Sequence, residues 1–171
     1  MINLPLASLV IIRHATVDDL PDLEWGGELV HFRRIFADAY RLMQTGEVMM
    51  WVVDLPGVGL IGQLFVHLYG VAAGLKNGRP YAYIYGFRVQ PAYRDLGIGS
   101  RLLQTAESDL AQNGFYRVTL NVARDNDGAR RLYERFGYRI MAPEPGIWSY
   151  LDQDGMRVQV NEPAWRMEKE I

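Results

Sequence analysis

The chain has 171 residues, 49% of them hydrophobic and 22% charged, which suits one ordinary globular domain with its own core. Its formal net charge of −2 argues against a nucleic-acid partner held by bulk electrostatic attraction. The absence of cysteine excludes disulfide bonds, thiolate zinc sites and a thiol nucleophile. The three histidines (His14, His31 and His67) lack the spacing of metal ligands, so we expect no metal site.

The first half of the chain carries clear signals for helices, strands and turns. Apolar residues recur at helical spacing up to Thr45, where Gly46 ends the pattern, and continuous apolar runs indicate buried strands. These signals predict a strand at 8–16, a helix at 28–45, strands at 48–55 and 59–69, and a loop or hairpin tip at 70–80. The opening residues lack the basic segment of a signal peptide, and no apolar run approaches the ~20 residues of a membrane span. We therefore expect a cytoplasmic protein with no membrane partner.

The segment YAYIYGFRVQ, residues 81–90, alternates in character and predicts a further strand. Pro91 ends this strand because proline cannot donate to the hydrogen-bond ladder. Strict alternation predicts that five residues share one face of the strand: Tyr81, Tyr83, Tyr85, Phe87 and Val89.

The second half of the chain continues the mixed pattern. It predicts a helix at 98–113, a strand at 117–122, a helix at 126–136, a strand at 138–142, a hairpin at 147–160 and a final strand at 165–171. Asn126 is the predicted N-cap of the second helix and Gly137 its C-cap. Strand, helix and strand in this order predict that strands 81–90 and 117–122 run parallel. We expect a single mixed α/β domain over residues 1–171.

Residues 91–100 read PAYRDLGIGS, a glycine turn that leads into a helix. Backbone N–H groups converge at such a helix start and can hold an anion, and the arginine adds donors suited to phosphate. A Walker A loop is excluded because the turn contains no Gly-Lys-Ser/Thr, and Leu102 stands where a dinucleotide fingerprint has its third glycine. From the turn alone, a plain helix entry without a ligand remains open.

Two longer segments resemble the GNAT superfamily of acyl-CoA-dependent N-acyltransferases. The first, FRVQPAYRDLGIGSRLL, has the family's strand, its Arg/Gln-x-x-Gly-x-Gly/Ala turn and its long helix. The second, VTLNVARDNDGARRLYERFGY, has its strand ending in asparagine and its short helix with a tyrosine before Gly-Phe/Tyr. The resemblance is strong over residues 82–140. It implies a central mixed, mostly antiparallel sheet with a splayed parallel pair of strands, flanked by about four helices.

The resemblance also implies acetyl-CoA as the co-substrate, without a metal. The backbone of Phe87, Arg88 and Val89 would pair with the pantetheine arm, while Asn121 and Asn126 would line the same cleft. The N–H groups of the glycine turn would cradle the pyrophosphate: Arg94, Asp95, Leu96, Gly97, Ile98, Gly99 and Ser100.

Two groups are candidates for the chemistry of acyl transfer. The backbone N–H of Val89 would donate to the oxyanion that forms when an amine attacks the thioester. Tyr133 would be the general acid, because a phenol with a pKa of about 10 is protonated at pH 7 and can donate to the departing thiolate. Judged from its apolar helical stripe alone, Tyr133 is a core residue, and Arg94 by itself could be a solvated charge.

The sequence leaves the base, the acceptor and the hairpin open. The strand before the glycine turn has no carboxylate, so deprotonation falls to water, to Tyr83 or Tyr85, or to Glu24 or His31. The acceptor is an amine on a small molecule, a protein N-terminus or a lysine, and no cysteine is present to carry the acyl group. The hairpin at 147–160 could be a lid, an edge in a homodimer or an exchanged strand. A CoA-binding or sensing module without catalysis is the alternative function.

Overall fold

The computed structural model describes residues 5–70 and 80–171, so the loop predicted at 70–80 lies almost wholly outside the described residues. Within these ranges the α-helices are α1 Leu6–Leu9, α2 Arg33–Gln44, α3 Ile98–Gln112 and α4 Asp127–Arg135. The strands are β1 Ile11–His14, β2 Val48–Leu55, β3 Gly59–Tyr69, β4 Tyr81–Val89, β5 Arg117–Ala123, β6 Arg139–Glu144, β7 Ile147–Leu151, β8 Arg157–Asn161 and β9 Ala164–Glu170. None of the described helices has the length and apolar character needed to cross a membrane.

Seven strands form one sheet in the order β1-β2-β3-β4-β5-β9-β6, and β7 and β8 form a separate pair. Neighbouring strands of the large sheet are antiparallel except β4 and β5, which are parallel as predicted. This parallel pairing runs only from Tyr81 with Arg117 to Ile84 with Leu120. Both strands continue beyond those residues without pairing to each other, so the sheet opens at the carboxyl end of β4.

Apolar clusters cover both faces of the sheet. One face packs against α3 and α4 through buried residues such as Leu102 and Tyr133. The other face packs against α2, whose Phe36 and Ala39 lie three residues apart on its buried side. Strand β4 therefore lies between two packed layers, which fix its backbone up to the point where β5 departs.

Two N-terminal elements differ from the sequence predictions. Residues 6–9 form α1, and the strand predicted from residue 8 begins only at Ile11. The helix predicted at 28–45 begins only at Arg33, because the chain before it turns through short 3₁₀ segments. Trp25 and Gly26 have left-handed backbone, with φ of 50° and 68°, which interrupts any continuous helix in this region.

The prediction that β4 has a single aromatic face is wrong, because Gly86 interrupts the alternation. Gly86 has a φ of +60°, and the pairing of β4 with β3 shifts register there. Tyr85 therefore packs on the α2 side, whereas Phe87 packs against the cluster beneath α3 and α4. The extra residue of a bulge reverses which side chains face which layer. As a result the Arg88 guanidinium lies over Phe32, on the α2 side.

The C-terminal elements agree with the sequence predictions to within a few residues. Asn126 caps α4, since its side-chain oxygen accepts a hydrogen bond of 3.1 Å from the Ala129 N–H. Gly137 follows the helix with a φ of +90°. The predicted hairpin is β7 paired with β8, and its Tyr150 ring lies 5.2 Å from that of Phe32. The hairpin thus packs beside the segment that leads into α2.

Candidate active site

The opened end of the sheet lies in a cleft of about 1760 Å³. The glycine turn, β5 and α4 line one end of it, which we call the donor end. The segment before α2, strand β3 and the turn between β6 and β7 line the other end, which we call the acceptor end. Of the residues predicted for the site, Leu96 and Ile98 are the two that do not line this cleft.

The Val89 N–H is directed into the cleft. The neighbouring Gln90 N–H donates to the Ile61 carbonyl of β3 over 2.8 Å, and such bonds alternate along an antiparallel ladder. Val89, which lies opposite Gly62, therefore turns its N–H away from β3, toward the side that β5 has left. The Arg94 Nε donates to the Val89 carbonyl over 2.9 Å and ties the glycine turn to the end of the strand.

The glycine turn presents a row of backbone donors. Asp95 and Gly97 have left-handed backbone, with φ of 60° and 82°, and α3 begins at the next residue, the buried Ile98. The first backbone hydrogen bond of this helix is donated by the Arg101 N–H to the Gly97 carbonyl. The N–H groups of residues 98–100 consequently have no acceptor among the described residues. These donors and the positive end of the helix dipole form a site suited to an anion.

Asn121 and Asn126 lie on the other side of the donor end. Asn121 comes directly after the last residue of β5 that pairs with β4, and its interaction with Tyr83 opposes the effect of burial on the pKa of that phenol. Asn126 already uses its side-chain oxygen to cap α4. Both asparagines line the cleft, and the capping of α4 already accounts for the side chain of Asn126.

Tyr133 is a core residue and a cleft residue at once, so the two interpretations from sequence do not exclude each other. It is 7% exposed, and its ring centroid lies 6.1 Å from that of Phe87 and 5.7 Å from that of Tyr138. Burial raises the pKa of Tyr133 well above the ordinary value of a tyrosine, and interaction with Tyr83 raises it further. The phenol therefore stays protonated at neutral pH, as a proton donor must.

The side chains proposed from the sequence as general bases either lie outside the cleft lining or have a raised pKa that keeps them protonated. Glu24 accepts hydrogen bonds of 2.6 and 2.9 Å from Arg33, which lower its pKa, and it does not line the cleft. Tyr83 and Tyr85 line the cleft, but burial raises the pKa of Tyr83 and raises that of Tyr85 to about 12. His31 lies outside the lining, with its ring 4.1 Å from that of Phe32.

The acceptor end contains polar residues that sequence reasoning missed. His67, Glu144 and Glu162 line it, and Glu144 pairs with Arg166 over 3.5 Å. These residues come from separate segments of the chain and share no motif, and the available signal was a histidine inside the mostly apolar strand β3. Within residues 5–70 and 80–171, no group of three or more His, Asp and Glu side chains is placed to hold a metal ion.

The buried tyrosines predict that the protein loses stability at alkaline pH. Burial raises the pKa of Tyr83, Tyr85, Tyr133 and Tyr138, whereas a tyrosine in the unfolded chain titrates at about pH 10. Above about pH 10 the folded state binds more protons than the unfolded state, so the free energy of unfolding must fall as pH rises. Urea unfolding between pH 8 and 11 measures this. Tyr138→Phe should make the decline shallower, and a free energy that stays constant to pH 11 would contradict the argument.

The structure has the splayed parallel strand pair that the sequence resemblance predicted, beside a helix that begins at a glycine turn, and Tyr133 lines the opening. The chain belongs to the acetyltransferase (GNAT) family, whose model matches residues 17–138. This match confirms the family predicted from the sequence.

Relatives agree with this assignment. The chain is 26% identical over 108 residues to the uncharacterized N-acetyltransferase YycN of Bacillus subtilis, covering 63% of this chain and 66% of that protein. It is 42% identical over 94 residues to N-alpha-acetyltransferase 40 of Saccharomyces cerevisiae, covering 47% of this chain and 33% of that protein. The chain thus matches less than two thirds of the length of these relatives. Arabidopsis thaliana NAA60 in complex with acetyl-CoA has the same fold, with a TM-score of 0.72 at 20% identity over 95% of this chain and 98% of that one.

Proposed function

We propose that the protein transfers the acetyl group of acetyl-CoA to the N-terminal amine of a polypeptide, by direct attack in a ternary complex. The observation that carries the proposal is the opening of β4 from β5, where the Val89 N–H, the glycine turn and Tyr133 line one cleft that continues into a second, acceptor end. The yeast relative is an N-alpha-acetyltransferase and the Arabidopsis structure holds acetyl-CoA, which supports both substrates.

The residues of the donor end fit coenzyme A. The N–H groups of the glycine turn and the guanidinium of Arg94 suit a pyrophosphate, and Arg131 and Arg135 of α4 add positive charge to the same lining. A side chain at Gly99 would lie 3.7 Å from both Phe87 and Leu132. This is an ordinary van der Waals distance, so the start of α3 packs against Phe87 of β4, and the turn lies beside the strand that would pair with the pantetheine arm.

The groups at the opening supply what acyl transfer requires. Acetyl-CoA, when bound, supplies an activated thioester. The Val89 N–H donates to the carbonyl oxygen as negative charge develops on it. The amine nitrogen bonds to the carbonyl carbon as the carbon–sulfur bond breaks, and Tyr133 gives its proton to the sulfur and regains one from solvent. The chain has no cysteine to carry the acetyl group, which agrees with its direct passage from sulfur to nitrogen.

The proton that the amine releases leaves through the acceptor end. Tyr83 and Tyr85 are poor acceptors of it, because their raised pKa values keep the phenols protonated. His67 and Glu144 both line this end, and imidazole and carboxylate are ordinary proton acceptors in general-base catalysis. We assign the proton to water in contact with one of these two side chains.

An acetyl-transfer assay with purified protein tests the proposed function. Acetyl-CoA is incubated with a library of short peptides that have free N-termini, and thiol release and mass spectrometry follow the reaction. We expect acetylation of the α-amine and no reaction with the same peptides after N-formylation. Turnover on lysine side chains or small amines alone would contradict the polypeptide N-terminus as acceptor. Tight binding of CoA without turnover on any amine would favour the non-catalytic module.

A further inference from the structure

Arg88 is a half-buried cation whose guanidinium contacts an aromatic ring. Its guanidinium lies 4.6 Å from the centroid of the Phe32 ring and lines the acceptor end of the cleft. It forms no hydrogen bond or ion pair with any residue of the described ranges. Partial burial weakens the hydration of a charge, and filling the cleft would remove more of it, so we expect this guanidinium to gain an anionic partner when the cleft is filled.

Gln63 lies directly across from Arg88 in the pairing of β3 with β4. It is fully buried, and neither its side-chain nitrogen nor its side-chain oxygen has a hydrogen-bond partner among the described residues. Opposed residues of an antiparallel pair project to the same face of the sheet. The unsatisfied amide therefore lies on the same side of the sheet as the Arg88 guanidinium.

Trp25, unlike Gln63, is an unsatisfied group in the lining of the cleft. It lines the cleft, and its indole N–H is buried without a hydrogen-bond partner in the described part of the chain. Its backbone is left-handed, with φ of 50° and ψ of 49°, a conformation that bulky residues rarely adopt. Strained backbone and unmet donors occur together at ligand-binding positions, where the bound molecule completes the hydrogen bonds.

We propose that Arg88 binds a carboxylate of the acceptor, close to the amine that is acetylated. The carboxylate must lie close to the amine because Arg88 directly precedes Val89 in the chain. The Val89 N–H is directed into the cleft, where transfer occurs. Guanidinium forms paired, charge-assisted hydrogen bonds with carboxylate, which makes it selective for that group. The proposal rests on the acetyltransferase function proposed above and names the acceptor class that this site prefers.

The other charges of the acceptor end are consistent with an acceptor that carries both an amine and a carboxylate. Glu28 and Glu162 line this end without an ion pair within the described residues, and they suit an ammonium group. Glu162 also acts on the Arg88 guanidinium, opposing the effect of burial, which lowers the pKa of Arg88. The carboxylate could be the side chain of an acidic residue at the start of a polypeptide, or the α-carboxylate of a free amino acid.

The test compares substrates that differ only in this carboxylate. Peptide pairs carry Asp or Asn, and Glu or Gln, at the first or second position, and free glutamate and glutamine form the small-molecule arm. Each is assayed with the wild type, with Arg88→Met, which keeps an unbranched side chain over Phe32, and with Arg88→Lys, which keeps only the charge. Thermal unfolding checks that each variant folds, and Arg41→Met is the matched control, since Arg41 is exposed and pairs with Asp38 on α2.

We expect the wild type to prefer the acidic member of a pair by about 10-fold or more in kcat/KM. Arg88→Met should bring that ratio close to one by raising the KM of the acidic acceptor. Arg88→Lys should keep only part of the wild-type preference, and Arg41→Met should leave the preference unchanged. Preference within the peptide pairs alone identifies an acidic N-terminal residue, and preference for free glutamate alone identifies a free amino acid.

Several outcomes would overturn the proposal. If peptides are acetylated but the ratio of kcat/KM between acidic and amide substrates is the same in the wild type and in Arg88→Met, the carboxylate site is rejected. The proposed function is then unaffected. A weaker affinity for acetyl-CoA in Arg88→Met, with an unchanged ratio, would instead assign the guanidinium to the donor. If no amine is acetylated, the proposed function fails. Calorimetry then measures the binding of acidic peptides and of glutamate in the presence of CoA. If the affinity is the same in the wild type and in Arg88→Met, the carboxylate site at Arg88 is rejected.

Discussion

Tyr133→Phe should lower kcat by about 10²- to 10⁴-fold, the usual contribution of a positioned general acid. The substitution removes a single oxygen from a side chain that packs beside Phe87 and Tyr138, so the fold and the donor end should be preserved. The KM of acetyl-CoA should therefore change little. Because burial raises the pKa of the phenol, loss of its proton should not limit the wild-type rate between pH 7 and about 10. Steady-state kinetics with the preferred peptide across this pH range measure both effects.

Tyr138→Phe is the matched control for this experiment. Tyr138 is buried next to Tyr133 and loses the same oxygen, but it does not line the cleft. We expect its kcat to stay at the wild-type level. Equal kcat values for the wild type and Tyr133→Phe would remove the tyrosine from the chemistry and leave it as a core residue. A comparable loss in both variants would show that packing, rather than proton donation, is responsible.

The donor end was predictable from the sequence because its parts are local. The glycine turn, the start of α3 and the cap of α4 each depend on residues within one short segment, and Asn126 caps α4 as predicted. Residues that are close together in each segment are therefore also close together in the cleft. Tyr133 was named from the family resemblance, since its apolar helical stripe alone indicates a core residue, and in the structure it is buried and also lines the cleft.

The acceptor end was not predictable because it is assembled from distant segments. His67, Glu144 and Glu162 meet only through the strand order, and that order was not available from the sequence. Arg88 was predicted for its backbone alone, and strict alternation along β4 would place its side chain opposite that of Tyr85, whereas both lie on the α2 side. The left-handed Gly86 changed the face of the last residues of β4, and a glycine inside a strand is only a weak signal for a bulge.

Gly86→Ala should damage both stability and catalysis. Its φ of +60° costs an alanine about 1–2 kcal/mol. The added Cβ would also lie 2.9 Å from the Phe65 ring, an overpacking that costs about 1–3 kcal/mol more. We expect a Tm lower by roughly 5–15 °C for a chain of this size. Relief of the strain would shift the end of β4, and a displacement of the Val89 N–H by about 1 Å could cost up to 10²-fold in kcat.

Gly57→Ala separates the effect on catalysis from the general response to losing a left-handed glycine. Gly57 lies in the turn between β2 and β3, outside the cleft lining, with a φ of +83° and no atom within 4 Å of an added Cβ, so alanine should lower the Tm through backbone strain alone and leave kcat unchanged. Thermal unfolding and steady-state kinetics on the two variants give the comparison. A Gly86→Ala protein that is less stable but has wild-type kcat would mean that the bulge serves packing alone. If both quantities stay at wild-type values, the backbone at Gly86 does not determine where the Val89 N–H lies.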